Sequence, residues 1–399
     1  MKNFFLITII SIFVGICSIF LLPIDIPQAR VANLNLNLNL NNFNLNNIST
    51  LTNQLLNYTK SNINTYLTNH QQPILSPQLP TNNHIITTKM SSPATKSIPR
   101  LIRKIFLATE QAEGAGARVR RSIGTPQLRN FSPFLMLDHF SIRPGAGFPD
   151  HPHRGQETIT YLLQGGVDHE DFAGNKGTIE AGDLQFMTAG RGIMHAEMPR
   201  QNADGSANVG LQLWVDLPRE LKGCEPRYRD LKAEEVPTVE TDEGRVKIKV
   251  ISGKSHGVDS VKDLAYTPVW ILDVEVQPGG KVVQEVPEGW NAFVYTLEGQ
   301  TIFSSGEEGE KRTVEQFHNV VFEPSGEAVY AEVDAGAEKP GRFVLIAGTP
   351  LDQKVVQYGP FVLNSQEEVY QAFVDYQTHT NGFERAKGWR SEIGKSMTH

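Results

Sequence analysis

Two short histidine-bearing arms constrain this chain more than any other feature: Asp150-His151-Pro152-His153-Arg154-Gly155 and Arg191-Gly192-Ile193-Met194-His195-Ala196-Glu197. In each arm the candidate ligands stand at i and i+2, so on extended backbone both side chains of a pair leave the same face. A fold that lays the two arms side by side presents three imidazoles and one carboxylate to a single point. This donor set of nitrogen and oxygen without sulfur suits Fe(II), Mn(II), Ni(II), Cu(II) or Zn(II) rather than Mg²⁺ or Ca²⁺. Four protein ligands on an ion that accepts five or six leave room for water, substrate or dioxygen.

The text around the arms predicts strands. From Arg100 onward, short apolar runs alternate with Gly, Pro and Asp turns, the pattern of an all-β sandwich or barrel. Examples are Thr158-Ile-Thr-Tyr-Leu-Leu before Gln164-Gly-Gly, and Gly210-Leu-Gln-Leu-Trp-Val before Asp216-Leu-Pro. Between about Arg229 and Val239 the chain turns charged and Pro-containing, which places a linker there. A second β series follows, with Val269-Trp-Ile-Leu-Asp-Val-Glu-Val, Pro278-Gly-Gly, Ala292-Phe-Val-Tyr-Thr-Leu and Arg342-Phe-Val-Leu-Ile-Ala-Gly. Its order of strands and turns repeats the first, which predicts an internal duplication. Ser365 followed by Gln366-Glu367-Glu368, with apolar Val369, Ala372, Phe373 and Tyr376, predicts a capped amphipathic helix that closes one end of a barrel.

The first hundred residues read differently. Phe4 to Leu22 form an apolar run behind Lys2, about the minimum length for a spanning helix. Residues 1–30 are therefore a signal anchor or a gene-model artefact, and the Asn-rich, low-complexity stretch 31–98 is expected to be disordered. Met90 reads as an ordinary start of a protein, so residues 1–89 are either a targeting extension or an over-extended reading of the gene. A formal charge of −7 argues against a surface that coats nucleic acid. Two cysteines, Cys17 and Cys224, provide neither a disulfide framework nor a thiolate cage.

The motifs also carry a resemblance. Gly145, five residues, His151-x-His153, three residues, Glu157 and then seven residues to Gly165 nearly match the first motif of the cupin superfamily, the last spacing being one longer than usual. The second motif is altered, with Thr188-Ala-Gly190 in place of Pro-x-Gly and His195 two positions late. Phe131-Ser-Pro-Phe-Leu-Met-Leu-Asp-His-Phe140, Phe148-Pro-Asp-His-Pro-His-Arg-Gly155, Thr188-Ala-Gly-Arg-Gly-Ile-Met-His-Ala-Glu-Met-Pro199 and Asn381-Gly-Phe-Glu-Arg-Ala-Lys387 together resemble the pirin family over roughly residues 100–390.

This resemblance implies a bicupin: two antiparallel jelly-roll barrels, a metal-binding one over 99–230 and a metal-free one over 240–392. It implies one Fe(II) in the N-terminal barrel, held by His151, His153, His195 and Glu197, with Glu157 behind them orienting an imidazole. The activity implied is that of a quercetin 2,3-dioxygenase, oxygen-dependent cleavage of a flavonol ring, with Glu197 or Glu157 as the base for the flavonol hydroxyl. The alternative is an iron- and redox-dependent transcriptional co-regulator that docks on a transcription-factor protein without touching nucleic acid. The family implies a cytoplasmic or nuclear location for the folded core, while the apolar run leaves a membrane-anchored or secretory one open.

Other histidines read as bland. His139 is expected to be a hydrogen-bonded core residue and His169 a surface-loop residue, while His256, His318 and His379 belong to no pair. In the second series, Lys281-Val-Val-Gln-Glu-Val-Pro stands where a His-x-His would fall. Arg191 and Gly190-x-Gly192 either shape a pocket mouth or serve a tight turn that needs glycine.

Overall fold

Glycine and proline cut the chain into strands too short to stand alone, so each gains stability only by pairing within a sheet and covering an apolar face. The computed structural model describes residues 85–87 and 97–397, apart from 115, 144, 262–263 and 307–308. The run Phe4–Leu22 and all of the Asn-rich leader except Ile85–Thr87 and residues 97–98 lie outside the described residues. Among those described, no helix is long and apolar enough to cross a membrane.

The elements in chain order begin with β1 (Ile102–Leu107), β2 (Glu110–Glu113), β3 (Ala117–Ile123), β4 (Phe134–Ile142), β5 (Phe148–His153) and β6 (Gln156–Gln164). They continue with β7 (Gly166–Asp171), β8 (Lys176–Glu180), β9 (Leu184–Thr188), β10 (Ile193–Pro199), β11 (Asn208–Asp216) and β12 (Arg227–Leu231). These build a seven-stranded sheet ordered β12-β9-β6-β11-β4-β3-β2 and a four-stranded sheet ordered β5-β10-β7-β8, while β1 leaves for the other barrel.

The second barrel comprises β13 (Thr238–Thr241), β14 (Val246–Ser252), β15 (Val269–Val276), β16 (Lys281–Glu285), β17 (Asn291–Glu298), β18 (Thr301–Ser304), β19 (Lys311–Val314), β20 (His318–Phe322), β21 (Ala328–Glu332) and β22 (Gly341–Gly348). Its large sheet runs Ile85–Thr87, β13, β14, β15, β22, β17, β20, β1, and its small one β16-β21-β18-β19. The all-β architecture expected from the strand spacing is therefore present, as are the two barrels that the family resemblance implied. The exchange of β1, which pairs antiparallel with β20, was not legible in sequence.

The two large sheets pack face to face, and their shared core holds Phe134, Ile159, Leu213 and Val215 from the first barrel with Ile271, Phe293, Tyr295 and Ile346 from the second. β6 is covered on both faces, with seven consecutive buried residues, polar Gln156, Glu157, Thr158 and Thr160 among them. Phe293 meets Phe134 edge to face, with centroids 5.2 Å apart. At the rim of this core, Tyr161 donates to Asp273 at 2.6 Å, and Arg342 binds the same carboxylate. The second barrel's own interior is filled by Val246, Ile248, Val274, Val282, Val294, Phe303, Phe322 and their neighbours.

His139, expected to be a hydrogen-bonded core residue, is hydrogen-bonded but half-buried, with Nδ1 3.1 Å from the Tyr295 hydroxyl of the second barrel. Burial, aided by the Arg120 charge, pushes its pKa down to about 4. The folded state therefore holds this proton less tightly than the unfolded chain. Its stabilising contribution is complete above about pH 6.5 and is lost as pH falls toward 4, a change of about 3 kcal/mol at most. Melting temperatures measured from pH 7 to pH 4 are expected to fall more steeply in the parent chain than in His139→Gln; parallel slopes would count against this role.

After β22 comes a hairpin of β23 (Val356–Tyr358) and β24 (Phe361–Leu363), then helix α1 (Gln366–Thr378). Ser365 caps α1 by accepting the Glu368 N–H, as its sequence predicted. The helix does not plug a barrel end. Its buried face joins Phe361, Phe383 and Met194, and Met194 lies on the face of β10 opposite His195. The C-terminal elements therefore back the outer side of a histidine-bearing strand.

Candidate metal centre

The two arms are β5 and β10, paired antiparallel, with His151 directly opposite His195 and His153 opposite Ile193. The i, i+2 parity brings His151 and His153 of the first arm together with His195 of the second, but not Glu197. One ring nitrogen from each of His151, His153 and His195 lies within 4.8 Å of the others, a group that could hold a metal ion. Ring centroids stand 4.3 Å apart for His151–His195, 4.9 Å for His151–His153 and 5.0 Å for His153–His195.

Neighbouring groups fix the rings. His151 Nδ1 lies 2.8 Å from the Pro149 carbonyl, which can only accept, so this nitrogen carries a proton and Nε2 is the one turned to ligation. His153 Nδ1 meets the Gln156 side-chain amide at 2.9 Å. His195 has neither: both its ring nitrogens are buried without a hydrogen-bond partner. Such an orphaned group costs roughly 1–3 kcal/mol, and an ion bound at the centre of the three rings would relieve it. The donor set therefore fits a transition metal. Burial first, and then the neighbouring imidazoles, hold the pKa values of His153 and His195 well below the ordinary range, so both rings are neutral and able to ligate at pH 7.

The two carboxylates nominated from sequence lie in different places. Glu197 is buried on the same strand as His195, but a bulge falls between them opposite β5. Its Oε1 accepts from Thr160 at 3.3 Å and its Oε2 from the Gln212 amide at 3.1 Å, so it stands beside the three imidazoles and outside their convergent set. Gln212 accepts in turn from Trp214 Nε1 at 3.1 Å, and the Trp214 ring meets His153 edge-on at 5.1 Å.

Glu157 faces away. It accepts from Thr188 Oγ1 at 2.8 Å and from the backbone N–H groups of Tyr266 and Thr267 at 3.0 Å each. Burial raises its pKa despite those donors. Its contacts tie β6 to the segment leading into β15, whereas the residue meeting a ligand imidazole is its neighbour Gln156. Strand alternation would have found this: Gln156 and Glu157 project to opposite faces. Thr160, Gln212 and Trp214 were also missed, although Gln212 and Trp214 share a face and Gln212 pairs with Thr160.

His169 corrects another expectation. It is a buried residue of β7 rather than a surface-loop one, stacked on Tyr228 with centroids 5.9 Å apart and 3.3 Å from Asp230. Among the described residues, no second group of metal-ligating side chains accompanies the three imidazoles. In the second barrel, β16 turns Val282 and Gln284 inward, and the Gln284 amide oxygen accepts from Ser255.

Comparison with known proteins agrees with this architecture. The family model described as Pirin matches residues 116–215, and that of the Pirin C-terminal cupin domain matches 271–382. A pirin-like protein of Solanum lycopersicum is 49% identical over 303 residues, covering 76% of this chain and 100% of that one. Pirin of Homo sapiens is 49% identical over 290 residues, covering 72% and 96%. Among solved structures, a quercetin 2,3-dioxygenase from Acinetobacter baumannii superposes with a TM-score of 0.64 at 28% identity, covering 70% of this chain and 98% of that one.

Proposed function

This chain belongs to the pirin family, and from that premise we propose that it is a metal-dependent dioxygenase of the quercetin 2,3-dioxygenase type. One Fe(II) is held by His151, His153, His195 and Glu197 in the barrel that spans about 99–230, and the barrel over 240–392 carries none. The observation that supports this most directly is His195, buried with two partnerless nitrogens beside two further imidazoles. The likeness to a solved quercetin 2,3-dioxygenase supplies the substrate class, an electron-rich flavonol.

When bound, the metal supplies Lewis acidity toward a phenolic oxygen and redox capacity toward dioxygen. The chain's own residues do the rest. Pro149 and Gln156 orient two of the ligating rings, and Trp214 flanks His153. Glu197, positioned by Thr160 and Gln212, is the candidate base for the proton of the flavonol hydroxyl. Glu157, engaged by two backbone amides, serves as a tether between barrels.

The test is metal analysis of protein purified without added metal, followed by an anaerobic flavonol assay into which oxygen is admitted. Near-stoichiometric iron and oxygen-dependent loss of flavonol absorbance are expected; equal turnover after iron removal would reject the reading. One observation also favours a regulator. Gln156 touches His153, and the adjacent Glu157 holds the backbone at Tyr266–Thr267, so a change of metal charge has a short route to the second barrel. On that reading a protein partner is captured unequally under dithionite and ferricyanide, and equal capture would count against it.

A further inference from the structure

Residues beyond 370 are remote in sequence from both arms, yet they grip them. Arg154, directly after His153, is buried. Its Nη1 donates to Asp375 Oδ2 at 2.7 Å, its Nη2 to the Asn381 carbonyl at 2.6 Å and its Nε to the Arg191 carbonyl at 2.6 Å. The guanidinium also lies over the Phe383 ring, 4.8 Å from its centroid. A single side chain thus joins the end of the first arm, the start of the second and the C-terminal helix.

The acceptor is itself fixed: Asp375 receives Gln371 Nε2 at 2.7 Å and Asn381 Nδ2 at 2.8 Å. On the second arm, Gly192 has φ 147, and a Cβ there would stand 2.9 Å from the Phe383 ring, so bare backbone rests on that aromatic. At the far side of the first arm, Asp150, directly before His151, accepts from the hydroxyl and backbone N–H of Ser391. Lys222 adds a fourth hold, donating to the Gly155 carbonyl at 2.8 Å and to the Val362 carbonyl at 2.9 Å.

The ladder between β5 and β10 is interrupted by a bulge just beyond His195. Three imidazoles whose nitrogens lie within 4.8 Å of one another gain nothing from that proximity without an ion. The ladder pairs His151 with His195 and His153 with Ile193 and so fixes their register; at its two ends, at Asp150 and at Arg154 with Arg191, the C-terminal contacts add a hold that the ladder does not provide.

We infer that Arg154 is a positioning residue: with Asp375, Asn381 and Ser391 it makes the C-terminal segment a brace that presets the spacing of the two arms, so that the imidazoles converge before an ion arrives. The inference rests on the reading of His151, His153 and His195 as metal ligands. It assigns the block Asn381-Gly-Phe-Glu-Arg-Ala-Lys387 a part in metal retention rather than in chemistry.

The experiment uses the full chain loaded anaerobically with Fe(II) and challenged with excess ferrous chelator at a temperature well below melting. Arg154→Gln and Asp375→Asn are expected to release iron about 10- to 100-fold faster than the parent chain. Val274→Ala, in the second barrel's interior and far from the arms, is expected to release it at the parent rate even though it lowers the melting temperature. Should Arg154→Gln fail to fold, Asp375→Asn and Ser391→Ala carry the test. Parent-like release from Asp375→Asn and Ser391→Ala would overturn the brace while leaving the metal reading intact. A parent chain that takes up no iron would overturn both.

Discussion

Replacing His195 with alanine is expected to reduce bound iron from about one per chain to near zero and to abolish oxygen-dependent flavonol loss, an effect well over 100-fold in metal affinity. Loss of a ligand exceeds the cost of removing a group that merely orients one. The apo protein should hardly notice. His195 buries two nitrogens with no hydrogen-bond partner, so its removal trades a packing loss against relief of two unmet polar atoms. Calorimetry with and without iron separates the cases: the parent gains stability on loading and the variant does not. A variant that melts far below the apo parent yet still binds iron would make His195 a core residue. His151→Ala should follow the same direction.

The second large effect belongs to the interface between the barrels. Phe293 is fully buried and packs against Phe131 and Phe134 of the other barrel at 6.4 and 5.2 Å between centroids. Phe293→Ala removes a ring from a core that neither barrel can close alone, and a loss of about 3–5 kcal/mol is expected. For a unit of this size that lowers the melting temperature by about 10 °C. Iron content measured on the same sample should stay at the parent level, because Phe293 touches neither arm. A loss below about 1 kcal/mol would mean that the barrels do not share a core.

The two experiments separate a group kept for its ligand from a group kept for its packing, and sequence distinguished these unevenly. The His-x-His arm was legible because the parity of a strand is local: two residues apart means the same face wherever the strand ends up. The capped helix was legible for the same reason, since Ser365 needs only the Glu368 N–H three residues on. His169 was misread because its charged neighbours Asp168, Glu170 and Asp171 suggested a loop, while burial came from Tyr228 and Asp230 on a strand some sixty residues later. Glu157 was given a part beside the metal on motif spacing; its real partners are backbone amides more than a hundred residues away.

By itself, then, the sequence determined the strand-and-turn grammar, the repetition of the β series and the shared face of His151 and His153, because each depends on periodicity or on side-chain chemistry within a few residues. Only the tertiary structure decided that β1 crosses to the other barrel, that Gln156 rather than Glu157 meets a ligand ring, that Glu197 stands between Thr160 and Gln212, and that Arg154 ties both arms to the C-terminal helix. Those facts depend on which strands pair and in what register. Register is set by the summed burial of whole sheets and leaves no local trace in the order of residues.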